Sequence, residues 1–172
     1  EKACIIVPLT HNLNNKNAKL LTIAQVEVVF KINGDDVVAT ENISNQTENN
    51  YYNIIRKRKH AGLVLFTSGT SGEPKAAVHD FYALLEKFKT RRKALRTLNF
   101  LLFDHWGGLN TMFHILSNGG TIIATKDRAP ESVCKLIELH KIELLPASPT
   151  FLNLMLLSKA YLNYELNSLK II

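Results

Sequence analysis

From residue 61 onward, short apolar runs alternate with segments whose apolar residues recur at helical spacing. In the first such segment Phe81, Leu84, Leu85 and Phe88 repeat at the interval of one helix face. Strands that alternate with helices favour a parallel sheet covered on both faces. The pattern therefore predicts an α/β fold with layered, mainly parallel sheets flanked by helices. The predicted strands are residues 62–66, 99–103, 121–125, 142–145 and 169–172.

The N-terminal third has a less regular pattern. Residues 3–7 form an apolar run that Pro8 stops, which predicts a strand buried on both faces. A short helix over 15–24 and a strand over 26–32 are expected next. Residues 33–60 are polar and rich in asparagine, so a long loop or poorly ordered insertion is expected there. The predicted parts are a first strand region 1–32, the Asn-rich loop 33–60, a hairpin 61–78 and the alternating region 79–172.

Composition excludes several classes of protein. The chain has 172 residues, of which 46% are apolar and 21% charged, a normal globular mix. Its aliphatic run at 154–157 is far too short for a membrane span, so no transmembrane segment is expected. Cys4 and Cys134 are expected to be buried free thiols of a reducing compartment, and this predicts a cytoplasmic location.

The formal net charge of +6 is concentrated in the middle of the chain. Residues 51–100 contain eleven basic and three acidic side chains. Such an excess suits a nucleic acid, a polyphosphate ligand or a solvated surface. Aromatic residues do not interleave with the basic ones, and no nucleic-acid motif is present, so a nucleic-acid partner is not expected.

One loop concentrates groups that bind anions. After a predicted buried strand, its glycines allow backbone N–H groups to converge on one point, and its hydroxyls and lysine add donors. Glu73 and Pro74 precede the lysine, and a strand rather than a helix follows, so this is not a Walker loop. A plain surface turn is the alternative to a phosphate site. The candidate residues are Thr67, Ser68, Gly69, Thr70, Ser71, Gly72 and Lys75.

The run from Phe66 to Lys75 resembles the phosphate-loop signature of the AMP-forming acyl-adenylating superfamily, which includes acyl-CoA synthetases and other AMP-dependent synthetases and ligases. The chain departs from that family at Ala76, where glycine is usual. Further stretches are similar to the family in order: residues 3–9, 102–110, 145–150 and 164–172. The chain ends inside a predicted strand, and the resemblance implies an incomplete fragment of the large N-terminal domain.

The resemblance implies an ATP-dependent ligase of fatty acid metabolism or a related route. It would form an acyl-adenylate from a fatty or aryl acid, and then an acyl-CoA. Residues 67–72 would bind the β- and γ-phosphates of ATP, Thr70 would lie nearest Mg²⁺, and Lys75 would support the phosphates. The acidic partner of the metal would lie outside this chain. Coenzyme A is the expected second substrate.

The resemblance also implies an acid site. His105 would lie beside the substrate carboxylate, and the pocket wall would be formed by Trp106, Gly107 and Gly108. Taken alone, these residues have a structural interpretation, with His105 at a strand end and Trp106 in the core.

Two further functions remain open. Asp104 lies where amino-acid-activating domains hold an ammonium group, so a domain of a peptide synthetase is an alternative. An inactive fragment or pseudoenzyme is another. The isolated chain is expected to be inactive without the rest of its parent protein, including a C-terminal domain.

Overall fold

The computed structural model describes residues 4–10, 15–32, 34–36, 38–43, 47–68 and 73–172, with the side chains of 15–17 and 68 excepted. The chain divides into two compact units, residues 1–86 and 87–172. Each unit combines helices with strands, which confirms the predicted α/β class.

The first unit is built from five strands and three helices in its described part. In chain order these are β1 Ile5–Ile6, α1 Asn15–Ile23, β2 Val28–Ile32, β3 Val38–Asn42, α2 Asn50–Lys57, β4 Gly62–Ser68, β5 Pro74–Asp80 and α3 Phe81–Leu85. The main sheet has the order β1-β4-β5, in which β1 is parallel to β4 and β5 is antiparallel to it. β2 and β3 form a separate antiparallel hairpin.

A small apolar cluster joins the main sheet to helix α2. Val64, Tyr52 and Ala24 are buried at its centre. The Tyr52 hydroxyl donates a hydrogen bond of 2.8 Å to the carbonyl of Ala24, so the buried phenol is satisfied. Burial raises the pKa of Tyr52 above its ordinary value.

The prediction of a loop over residues 33–60 is wrong, because this segment contains β3 and α2. The side chain of Asn49 accepts a hydrogen bond of 2.9 Å from the backbone N–H of Tyr51 and so caps α2. Tyr52 and Ile55, three residues apart, then face inward. Asparagine acts here as a helix start rather than as a loop residue.

Two expectations of burial near the N-terminus are also wrong. Strand β1 pairs with β4 along one edge, and Ile6 is 53% exposed, so the strand is not buried on both faces. Cys4 is an exposed free thiol, whereas Cys134 is a buried one.

The second unit contains a short parallel sheet flanked by helices. Its elements are β6 Arg96–Asn99, α4 Trp106–Ser117, β7 Thr121–Ala124, α5 Pro130–His140 and α6 Pro149–Ser158. β6 is parallel to β7, and single parallel bridges extend the pairing from Thr97 to Leu144 and on to Ile171. The strand expected over residues 99–103 is thus found three residues earlier, over 96–99.

Local signals fix the helices of this unit. The Ser148 hydroxyl accepts a hydrogen bond of 3.2 Å from the N–H of Phe151 and caps α6, as its sequence predicts. Pro130 opens α5. Gly119, with φ of +70°, follows the end of α4 in a conformation that disfavours other residues. Among the described residues, no helix has the length and apolar character needed to cross a membrane.

The core of this unit lies between the sheet and helices α5 and α6. Its buried members are Leu98, Phe100, Val133, Cys134, Ile137, Ile142, Leu145, Met155 and Ala160. Burial raises the pKa of the Cys134 thiol, so this cysteine stays protonated and inert.

Candidate functional site

The β4–β5 hairpin carries the predicted phosphate loop. Thr67 pairs with Lys75 across the two strands, and Ser68 pairs with Pro74 one step closer to the turn. The side chains of Thr67 and Lys75 are both exposed. Gly69, Thr70, Ser71 and Gly72 lie outside the described residues, so the geometry places the two flanks of the predicted loop.

Lys75 and Ala76 lie on opposite faces of strand β5. Successive side chains of a strand point to opposite faces, and Ala76 and Val78 pack against the apolar cluster around Val64. Lys75 therefore lies on the opposite face of the strand, where its own side chain is exposed. The β-carbon of Ala76, at the position where the phosphate-loop resemblance implies glycine, is directed to the face that packs on Val64.

Two polar contacts hold the ends of β5. At the start, the Glu73 carboxylate pairs with the ammonium of Lys19 on α1. At the end, Asp80 caps α3 by accepting a hydrogen bond of 3.1 Å from the N–H of Tyr82. The first contact lies next to the predicted phosphate site, and the second lies at the opposite end of the hairpin.

Asp80 has two further partners. Nδ1 of His60 lies 2.9 Å from its carboxylate, and Nη1 of Arg58 lies 3.1 Å from it. The hydrogen bond from His60, and then that from Arg58, hold the pKa of Asp80 below its ordinary value. This carboxylate is therefore ionised at neutral pH and serves as an anchor.

In the second unit, His105 immediately precedes helix α4 as its N-cap. The imidazole makes no capping hydrogen bond, is 67% exposed, and has its Nε2 3.6 Å from a carboxylate oxygen of Asp104. Trp106, the first residue of α4, is 37% exposed. The structural interpretation that places Trp106 in the core is therefore wrong, and both side chains are accessible.

Gly108 is packed tightly beside the preceding loop. A β-carbon at this position would lie 2.1 Å from the carbonyl oxygen of Leu102. At Gly107 the nearest atom to such a β-carbon, Cδ1 of Leu101, would be 3.8 Å away. The two positions thus differ in how well they would tolerate a side chain. Glycine is required at residue 108 because the backbone of Leu102 approaches so closely, and it is not required at residue 107.

A lysine that the sequence does not single out lies over Trp106. The ammonium of Lys87 is 4.6 Å from the centroid of the indole and 4.9 Å from that of the Phe88 ring. It also donates a hydrogen bond to the side-chain oxygen of Asn110. We call these four residues the Lys87 cluster. In the sequence Lys87 is simply a basic residue near a helix end, so no local signal marks it.

The described residues contain no group of three histidine, cysteine, aspartate or glutamate side chains that could hold a metal ion. Within its unit, each candidate segment is nonetheless ordered by specific contacts. Thr67 and Lys75 flank the loop in the first unit, and His105 to Gly108 open a helix in the second.

Comparison with known proteins identifies the family. A family model described as AMP-binding enzyme matches residues 2–172. The chain belongs to this family. A curated relative, the peroxisomal trans-cinnamate:CoA ligase of Petunia hybrida, is 23% identical over 190 residues. The match covers 97% of this chain but 32% of that ligase, so the chain spans a minor part of the relative's length.

Solved structures show the same fold. The N-terminal domain of FACL13 from Mycobacterium tuberculosis matches with a TM-score of 0.55 and 23% identity, over 63% of this chain and 29% of the other. O-succinylbenzoate coenzyme A synthetase from Bacillus subtilis, solved with ATP and a magnesium ion, matches with a TM-score of 0.50 and 25% identity. That match covers 63% of this chain and 24% of the synthetase. The resemblance noted in the sequence is confirmed.

Proposed function

We propose that this chain is the phosphate-binding part of a longer, ATP-dependent ligase that activates a carboxylic acid as its acyl-adenylate. The pairing of Thr67 with Lys75 at the mouth of the Gly-rich loop is the observation that supports this most directly. The pairing aligns a hydroxyl and a cation on the two strands that enter and leave the loop. Membership of the AMP-binding family supports a nucleotide as the ligand of these two groups.

The chemistry of the reaction explains why such a loop is needed. Carboxylate and ATP are both anions, and the barrier to their reaction falls when charge is neutralised and the reactants are held in line. We assign Lys75, the loop hydroxyls and the loop amides to the β- and γ-phosphates. Lys75 is suited to this role because its side chain is exposed, on the face of the strand opposite Ala76.

Mg²⁺ is the proposed metal, and Thr70 its proposed ligand on this chain. Hydroxyls such as that of Thr67 at the hairpin fit a hard cation as neutral oxygen donors, but Mg²⁺ in proteins is usually held through a carboxylate as well. Such a carboxylate would come from the remainder of the parent protein. When bound, the ion would neutralise charge on the phosphates.

We assign the acid site to the segment from His105 to Gly108. The accessible His105 and Trp106 offer a polar and an aromatic group at the start of α4. An aryl or fatty acid is the proposed substrate, and coenzyme A the proposed acceptor. The Petunia relative, a trans-cinnamate:CoA ligase by name, supports both assignments.

We further propose that the 172-residue chain alone does not complete the reaction, and that its parent protein works in the cytoplasm. The first proposal is supported by the share of the Petunia relative that the chain covers. The second is supported by its two free thiols, one of them exposed, because exposed free thiols persist in reducing compartments.

Acid-dependent exchange of pyrophosphate into ATP by the parent protein tests the function. We expect exchange with aryl or fatty acids, and its loss by at least about a hundredfold in Lys75→Ala, since removal of a single stabilising donor costs this much in acyl transfer. Lys57→Ala, which removes an exposed lysine of α2, is the control. Exchange supported only by amino acids would favour a peptide-synthetase domain, and no exchange with any acid would favour a pseudoenzyme.

A further inference from the structure

A cation besides His105 would favour an anionic substrate at the proposed acid site, because Asp104 offsets the charge of a protonated His105. Asp104 and His105 lie 3.6 Å apart, and together they carry a charge of zero if the imidazole is protonated and of minus one if it is neutral. A substrate carboxylate that approaches this pair finds no net positive charge there. A positive group from a neighbouring segment would therefore add to the favourable but partial charge of the helix N-terminus at this end of α4.

Lys87 is that group within the second unit. Its ammonium lies 4.6 Å from the ring centroid of Trp106, the residue directly after His105. Lysine has a flexible stem, and its ordering over a surface ring has an entropic cost. Here the contacts of the ammonium with Phe88 and Asn110 offset part of that cost.

The contacts that fix Lys87 leave its charge intact. Its partners are two aromatic rings and a neutral amide oxygen, none of which bears a formal negative charge. Lys87 is exposed, so an anion can reach its ammonium from solvent. The ammonium has three donors, of which the amide of Asn110 uses one.

We propose that Lys87, held over the indole of Trp106, binds the carboxylate of the acid substrate and makes the site selective for ionised acids. This inference rests on the proposed function and identifies a specificity-determining residue within it. His105, which lies beside Asp104, then orients the acid next to this cation, and the exposed part of Trp106 contacts its apolar portion.

The chain contains a single tryptophan, so Trp106 fluorescence reports on this site alone. The probes are 3-phenylpropanoate and its uncharged analogue 3-phenylpropanamide, each titrated into the full 172-residue chain. The variants are Lys87→Met, which keeps an unbranched apolar stem, Lys87→Arg, which keeps the charge, and Lys93→Met as a control at another exposed lysine.

We expect Lys87→Met to weaken binding of the acid about tenfold and to change binding of the amide by less than about twofold. Lys87→Arg should retain most of the affinity, and Lys93→Met should match the wild type. Iodide, an anionic quencher, should lose efficiency in Lys87→Met, whereas neutral acrylamide should not. The iodide result tests the cation over the ring without any ligand.

The proposal is overturned if Lys87→Met leaves acid binding unchanged, if it weakens acid and amide equally, or if the wild type does not prefer the acid. These outcomes differ from failure of the proposed function. If the proposed function failed, the parent protein would show no acid-dependent exchange at all, and Lys75→Ala would have no effect.

Discussion

Gly108 lies so close to Leu102 that a β-carbon at residue 108 would be 2.1 Å from the Leu102 carbonyl oxygen. The start of helix α4 is thereby pressed against the loop that leads into the proposed acid site. This contact requires glycine for a steric reason, independent of any role in substrate binding.

Gly108→Ala should therefore destabilise the protein. The methyl group meets backbone rather than a flexible side chain, so helix and loop must separate, and we expect a loss of about 2–4 kcal/mol in the free energy of unfolding. Gly107→Ala is the matched control, with 3.8 Å to its nearest neighbour and an expected gain of up to about 0.5 kcal/mol. Urea denaturation measures both, and equal stability of the two variants would contradict the packing described.

Ala76→Gly tests the alanine at the position where the phosphate-loop resemblance implies glycine. The Ala76 methyl faces the apolar cluster, so its removal should cost about 1 kcal/mol through lost packing and greater freedom of the unfolded chain. Nucleotide affinity should not change, because the methyl is directed away from Lys75. Titration with ATP and thermal unfolding give the two values. A large gain in ATP affinity would show that the methyl obstructs the nucleotide.

Thr97→Val should leave the second unit as stable or make it more stable. Thr97 is fully buried on β6, and its hydroxyl has no hydrogen-bond partner among the described residues. Valine has nearly the same shape and removes an unsatisfied polar group, which favours folding by up to about 1–2 kcal/mol. Thr97→Ser is the control, since it keeps the hydroxyl and loses a methyl. A less stable valine variant would indicate that the hydroxyl has a partner.

Glu143 should contribute a pH dependence to stability. Its carboxylate accepts hydrogen bonds of 2.5 Å from Lys170 and 3.0 Å from the backbone N–H of Arg96, and these lower its pKa from 4.5. A pKa lowered by folding gives stability that is present above the unfolded value and is lost as the pH falls through the folded value. The loss should thus begin near pH 4.5 and continue below it.

Glu143→Gln should reduce this dependence, as measured by urea denaturation at several pH values. Glu165→Gln, which changes an exposed carboxylate, should leave the pH profile close to that of the wild type. Identical profiles for wild type and Glu143→Gln would show that the ion pairs of Glu143 with Lys170 and Arg96 do not contribute.

The sequence predicts those parts of the fold that depend on local chemistry. Ser148 caps α6, Pro130 opens α5 and Gly119 follows α4, because caps and turns are specified within a few residues. The β4–β5 hairpin follows for the same reason, since a single segment contains both of its strands.

Features that depend on distant partners are harder to predict. Residues 99–103, Asn99 followed by four apolar residues, have the pattern of a strand, yet the sheet pairs residues 96–99. Two hydrogen bonds between Arg96 and Glu143 fix this register: the Glu143 carboxylate accepts from the Arg96 N–H, and the Glu143 N–H donates to the Arg96 carbonyl. The composition of 33–60 obscured α2, although Tyr52 and Ile55 have helical spacing. Lys87 could not be recognised at all, because its partner Trp106 is 19 positions away in the chain.

The central claim is that the turn between Thr67 and Lys75 binds the phosphates of ATP. Calorimetric titration of the chain with ATP and with AMP, each in the presence of Mg²⁺, tests it most directly. We expect ATP to bind more tightly than AMP, and Lys75→Ala to weaken ATP binding about tenfold or more while AMP binding is unchanged. Equal affinity for the two nucleotides, or ATP binding that is unaffected by Lys75→Ala, would contradict the claim.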